Sequence, residues 1–185
     1  MPDTANKRRF SARDIVLTGM MTALMAACSL ISIPSAVPFT LQTFAVFCTV
    51  SLIGGKRSLF AIMSYLLIGA AGVPVFSGFT GGIGVILGAN GGYLIGFIFT
   101  ALICWGAEKI PVRNPAIMIT SMIISLAAVY IFGTAWFILI YTEKSGAITL
   151  SQALKWCVVP FVIPDLVKLF LALAITKRLR KHIAA

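Results

Sequence analysis

Charged residues divide this chain into long apolar runs. No charge lies between Asp14 and Lys56, none between Arg57 and Glu108, and none between Arg113 and Glu143. These gaps span 41, 50 and 29 residues. About 20 consecutive apolar residues in a helix cross the ~30 Å hydrocarbon core of a bilayer. The first run therefore predicts two crossings, separated at the proline-bounded stretch Pro34–Pro38. The second predicts two crossings on either side of a glycine-rich segment, and the third predicts one long or tilted crossing. A sixth crossing is expected from about Ser151 to Thr176, and it carries Lys155, Asp165 and Lys168.

Composition points the same way. The 185 residues are 59% hydrophobic and 11% charged, with a mean hydropathy of +1.02. A soluble domain carries about 25% charged residues, so this chain has too little charge to coat a water-exposed surface. A net charge of +10 raises the question of nucleic acid, but the positions of the cations decide against it. In a six-crossing topology twelve of the fifteen cations fall on one side: Lys7, Arg8, Arg9, Arg13, Lys56, Arg57, Lys109, Arg113, Lys177, Arg178, Arg180 and Lys181. Lys144 and Lys155 fall in the outer connections. This asymmetry is the positive-inside pattern. It predicts an all-α, multi-pass membrane protein with six transmembrane helices and cytoplasmic N- and C-termini. The expected organisation is a single integral membrane domain over residues 1–185, with basic cytoplasmic tails at about 1–13 and 177–185 and the lipid bilayer as its partner. No cleavable signal peptide is evident. Cys28, Cys48, Cys104 and Cys157 are scattered through apolar segments and read as packing residues, because metal sites need clustered ligands. His182, in the basic tail, reads as a surface residue.

Four features exceed what a generic span requires. The first is the segment from Gly72 to Tyr93, with Gly72, Gly78, Gly81, Gly82, Gly84, Gly88, Gly91 and Gly92. Each glycine costs a helix about 1 kcal/mol against alanine, so no continuous helix is expected. Irregular backbone at membrane depth persists only where it is buried in protein or lines a cavity. Val73, Val75, Phe76, Phe79, Ile83, Val85, Ile86 and Leu87 make the stretch too apolar for an ordinary external loop, which favours a lid folded back over a pocket between helices 3 and 4. The second feature is Asp165 with Lys168, three residues apart on one helix face, in a segment loosened by Pro160 and Pro164. Ionisable residues at membrane depth face a cavity or a partner; a self-satisfied ion pair is the plainer reading. Third, Gly19, Ala23 and Ala27 recur every four residues, as do Gly92 and Gly96. Such stripes serve either association with another chain or packing within this one. Last, Gln42 and Thr43 open an apolar helix, where each could bond a ligand or cap the helix.

Several chemistries lack their residues. Gly81-Gly82-Ile83-Gly84 has no following Gly-Lys-Ser/Thr, so the chain is not itself a P-loop ATPase. There is no His-Glu-x-x-His pair, acidic metal cluster or Ser-His-Asp set, and Asp165 is the one carboxylate at membrane depth. Paired acid–base work is therefore not expected. No catalytic residue, cofactor or metal is assigned, and an enzyme is not expected.

Five segments together resemble the BioY family, the biotin-specific S components of energy-coupling-factor transporters. They are Val37-Pro38-Phe39-Thr40-Leu41-Gln42-Thr43, Gly69-Ala70-Ala71-Gly72-Val73-Pro74-Val75-Phe76, Phe79-Thr80-Gly81-Gly82, Gly91-Gly92-Tyr93-Leu94-Ile95-Gly96-Phe97, and Pro160 to Lys168. Family members often read Gly-Pro-Thr-Gly-Gly-Tyr where this chain has Gly88-Ala89-Asn90-Gly91-Gly92-Tyr93, and Pro-Gly-Asp where it has Pro164-Asp165. The resemblance implies a substrate-binding subunit in a prokaryotic cell membrane, with an outward-side cavity closed by external loops. Its implied partners are a transmembrane coupling protein, contacted through Ala23 and Ala27, and two cytoplasmic ABC-type ATPases.

The residues accommodate biotin. Asp165 accepts from ureido N–H groups, while Lys168 donates to the ureido carbonyl or holds Asp165 ionised. Asn90, Tyr93 and Gln42 supply neutral partners, and Phe79 with Gly82 in the lid covers the ring. The same inventory suits another small amphipathic vitamin. An autonomous secondary carrier using Asp165 for ion coupling, an intramembrane enzyme and a structural scaffold are the competing classes. The scaffold leaves the glycine-rich segment without a purpose.

Overall fold

Glycine and proline decide where each apolar run stops being helical. The computed structural model describes residues 11–35, 37–111 and 115–183, which contain eight helices and one two-stranded ribbon. Lys7, Arg8, Arg9 and Arg113 lie outside the described residues, as do the side chains of Lys144, Arg180, Lys181 and His182. Helix α1 (Ala12–Leu30) begins with a capping box: the Asp14 N–H donates to Ser11 Oγ at 3.2 Å, and the Ser11 N–H donates to the Asp14 carboxylate at 3.1 Å. This arrangement satisfies backbone donors that the first turn leaves open. The proline-bounded stretch becomes a hairpin, β1 (Ser32–Ile33) against antiparallel β2 (Phe39–Thr40), with Ser32 opposite Thr40.

Helix α2 (Gln42–Ile53) ends at Gly54, whose φ of +79° lets the chain turn directly into α3 (Gly55–Ala70). A side chain there would be strained. An irregular segment follows and holds only the single turn α4 (Ile83–Ile86) before α5 (Gly91–Glu108). Helix α6 (Pro115–Ser145) occupies the third apolar run. The last run divides into α7 (Leu150–Cys157), capped by Thr149, and α8 (Val159–Ile183). The break at Val158 precedes Pro160, which has no N–H to donate back into a continuous ladder. Pro164, by contrast, sits inside α8 without ending it.

Among the described residues four helical stretches are long and apolar enough to cross a membrane: Ala12–Leu30, Gly91–Glu108, Pro115–Glu143 and Leu150–Leu179. The two remaining apolar-run helices, α2 and α3, have 12 and 16 residues. They are short because the hairpin and the glycine-rich segment take residues from the runs that held them. Helix α2 spans only about 18 Å and sits innermost, packed against α1, α3, α5 and α8. Ala45 through Ser51 of α2 are all buried. The four cysteines are free and buried.

Small residues set the helix spacing. A Cβ on Gly92 would collide with Trp136, one on Gly133 would collide with the Tyr93 ring, and one on Gly96 would stand 3.3 Å from Val129 Cα. The Gly92/Gly96 stripe therefore serves packing of α5 on α6 within this chain. A Cβ on Gly55 would collide with the Trp105 backbone, which brings α3 equally close to α5. The Gly55 N–H donates to Glu108 Oε1 at 2.8 Å and ties the two helix ends together. Gly19, Ala23 and Ala27 are instead exposed on α1. Outward-facing Ile131 and Ile163, both more than 70% exposed, suit a lipid-facing surface.

Gly55→Ala is expected to lower stability by about 1–3 kcal/mol through overpacking. Gly106, with nothing within 4 Å of its added Cβ, should accept alanine at no cost or with a small gain. Thermal unfolding of the two purified variants in detergent makes the comparison. Equal behaviour would contradict the close α3–α5 approach.

Candidate functional site

The broken backbone encloses a cavity of about 380 Å³ under the hairpin and the 71–90 segment. Its walls come from the starts of α2 and α5, the middle of α6 and the first turns of α8. The volume lies at the small end of the usual range for small-molecule pockets. Val37, Val85, Leu94, Phe97, Val129 and Phe161 make much of the wall apolar.

Among the described residues its two charged lining residues are Asp165 and Lys168. They are 4% and 6% exposed, and Lys168 Nζ stands 2.8 Å from Asp165 Oδ1. The other carboxylate oxygen accepts from the Tyr130 hydroxyl at 2.7 Å. Lys168 also donates to the Thr40 carbonyl at 2.6 Å and lies 4.0 Å from the centre of the Phe39 ring. The ammonium is thus met by a carboxylate, a carbonyl and an aromatic face. The network joins α6, α8 and the hairpin through side chains far apart in sequence.

Two neutral groups in the same cavity are not satisfied. Gln42 Nε2 and Asn90 Oδ1 are buried and have no hydrogen-bond partner. An unpaired buried polar atom costs about 1–3 kcal/mol, so an unsatisfied donor and an unsatisfied acceptor on two residues lining one cavity point to a ligand. Neither side chain caps its helix; the Gln42 N–H is taken by Thr40 Oγ1 at 3.2 Å. Thr43 also lines the cavity. Tyr93 lines it too, its hydroxyl 2.9 Å from Thr134 Oγ1 and its ring seated over Gly133.

The 71–90 segment is held at several points. Phe76 fills the space left by the missing side chain of Gly69 and meets the Tyr65 ring edge-on at 5.4 Å. Tyr65 and Ser29 both donate to the Val75 carbonyl. The Gly82 N–H donates to the Gly69 carbonyl at 2.7 Å, and Trp136 Nε1 donates to the Gly88 carbonyl at 3.0 Å. Phe79 and Gly82, expected to cover a ring, are not in the cavity wall. Phe79 sits at the tip of the turn bridged by Phe76 and Thr80, with φ +58°, and is 69% exposed. The turn directs Ser77 and Thr80 to the cavity instead.

Of the sequence-derived candidates, Asp165, Lys168, Asn90, Tyr93 and Gln42 converge on this cavity. Ala23 lines a separate groove between α1 and α3, with Gly19, Thr22 and Phe60. Tyr130, Thr40 and Phe161 were not singled out from the sequence. A tyrosine hydroxyl in the middle of the apolar α6 run was the available signal for Tyr130; Thr40 acts through its backbone, which leaves no mark in the sequence.

Lys168→Met should destabilise the fold by about 3–5 kcal/mol, because Asp165 then remains buried without its counter-ion. Asp165→Asn together with Lys168→Met should recover a large part of that loss. Thermal melts of both single variants and the double variant give the cycle; a double variant as unstable as the sum of the singles would contradict the pairing.

The chain matches the model described as "BioY family" over residues 4–185. It is 38% identical over 170 residues to the "Biotin transporter BioY" of Thermotoga maritima, covering 91% of this chain and 96% of that protein. It is 36% identical over 160 residues to "Biotin transporter BioY2" of Lactococcus lactis, covering 85% and 84% respectively. Among solved structures it resembles the crystal structure of the S-component for biotin from an ECF-type ABC transporter, with a TM-score of 0.79 and 25% identity over 97% of this chain and 95% of that one. With a family match across nearly the whole sequence and a matching helical architecture, this multi-pass membrane protein belongs to the BioY family.

Proposed function

We propose that the chain is the substrate-binding subunit of a biotin uptake transporter and takes biotin into the cavity around Asp165 and Lys168. The observation that carries this reading is the pair of unsatisfied buried amide atoms, a donor on Gln42 and an acceptor on Asn90, on residues lining the cavity that also holds the ion pair. A ureido ring presents N–H donors and one carbonyl acceptor. Asn90 Oδ1 and the Asp165 carboxylate accept from those N–H groups, and Gln42 Nε2 or Lys168 donates to the carbonyl. Tyr93 borders the ring, and Leu94, Phe97 and Phe161 face the apolar thioether portion. The relatives' names as biotin transporters support the same ligand.

In this reading residues 1–185 form one integral membrane domain that crosses six times, with both termini cytoplasmic. Helices α2 and α3 are the two short crossings, and the cavity opens outward under the 73–90 lid. The exposed Ala23 and Ala27 face a transmembrane coupling protein, and two ABC-type ATPases supply the energy that a chain without a phosphate-binding loop cannot.

A binding titration of the purified protein tests the ligand. Biotin should bind, while thiamine, riboflavin and lipoate should not compete. Asp165→Asn should weaken biotin at least about tenfold, because a charged acceptor to buried donors is worth about 1.5–3 kcal/mol. Tighter binding of another vitamin would reassign the substrate, and unchanged affinity in Asp165→Asn would remove that residue from the site.

A further inference from the structure

We infer that Lys155, in a second cavity outside the first, holds the carboxylate tail of the ligand and gives the protein its preference for an anionic substrate; this rests on the biotin reading above. Charge balance raises the question. The two charged lining residues of the inner cavity, Asp165 and Lys168, already neutralise each other at 2.8 Å. A ligand carboxylate placed beside them would leave one net negative charge in a largely apolar enclosure, which is strongly unfavourable. Its tail must therefore end elsewhere, in water or beside another cation.

The structure offers such a place next door. A more open cavity of about 630 Å³ is lined by Ile33, Ser35, Tyr141, Lys155, Trp156 and Pro160, together with Phe39 and Phe161. The last two rings stack with centroids 5.9 Å apart. Phe161 also lines the inner cavity, and Phe39 lies against Lys168. The stacked rings thus stand between the two chambers, and a slender aliphatic tail passing them leaves the head group inside and the carboxylate outside. Lys155 is the charged residue among those lining the outer chamber. It occupies the last turn of α7, is exposed, and makes no ion pair among the described residues. The hydroxyls of Ser35 and Tyr141 line the same wall.

A charge at the rim of a site acts mainly on association rate and salt dependence. Association and dissociation of biotin and of neutral biotinamide, measured on the purified chain in uncharged detergent at low salt, test the assignment. Lys155→Met should slow biotin association about threefold and Lys155→Glu about tenfold, with Lys155→Arg close to the parent protein. The differences should shrink in high salt, and biotinamide should bind all four proteins alike. Equal losses for biotin and biotinamide, or no change for either, would overturn the role of Lys155. A parent protein that binds neither ligand would overturn the biotin reading itself.

Discussion

A carboxylate and an ammonium inside an apolar helix bundle persist only if other polar groups answer them, and the architecture around Asp165 and Lys168 follows from that constraint. The pair alone satisfies one oxygen of Asp165 and one proton of Lys168. The Tyr130 hydroxyl from α6 completes the carboxylate, while the Thr40 carbonyl and the Phe39 ring from the hairpin complete the ammonium. Helix α8 is thereby fixed to α6 and to the ribbon, and the space between them becomes a cavity with a neutral, strongly polar end. A charge-balanced site suits a neutral polar head group better than a second ion. In the proposed reading, that preference separates recognition of the head, inside, from handling of a charged tail, outside.

The second constraint is closeness. Glycines at 55, 92, 96 and 133 let α3, α5 and α6 approach until side chains and backbone touch. In lipid this packing, rather than removal of apolar surface from water, holds helices together. The tight wall lets the innermost helix, α2, be short, and Gln42 at its N-terminal end lines the cavity. The irregular 71–90 segment supplies Phe76, Ser77, Thr80, Val85 and Asn90 to the lining of the same cavity. It is fixed by Phe76 in the Gly69 recess and by Trp136 on Gly88, so it combines secure anchors with an exposed tip at Phe79.

Much of this was legible in the sequence, because hydrocarbon imposes patterns that a linear reading detects. The apolar runs located the helices, the prolines at 34 and 38 the hairpin region, and the glycines after Gly72 the broken segment. Asp165 and Lys168 stood out because charge is rare at membrane depth, and Asn90, Tyr93 and Gln42 as polar groups flanking apolar helices. Helix lengths were less legible: α2 and α3 are shorter than the runs suggested, since a run does not reveal how many of its residues a ribbon or loop will use. The position of Phe79 outside the cavity wall was not legible for a related reason. Its aromatic ring suggested a cover, but its direction depends on the left-handed backbone at the turn tip. Thr40 was invisible because its carbonyl, common to every residue, is what binds Lys168. The Gly92/Gly96 and Gly19/Ala23/Ala27 stripes look alike in sequence, and only three-dimensional neighbours separate the buried one from the exposed one.

A structure of the purified protein bound to biotin tests the central claim most directly. The account predicts the ureido ring in the inner cavity, its nitrogens within about 3 Å of Asp165 and Asn90 oxygens, with the Asp165–Lys168 pair intact and the valerate tail directed past Phe39 and Phe161. Biotin bound with its carboxylate on Lys168, or outside the inner cavity altogether, would contradict it.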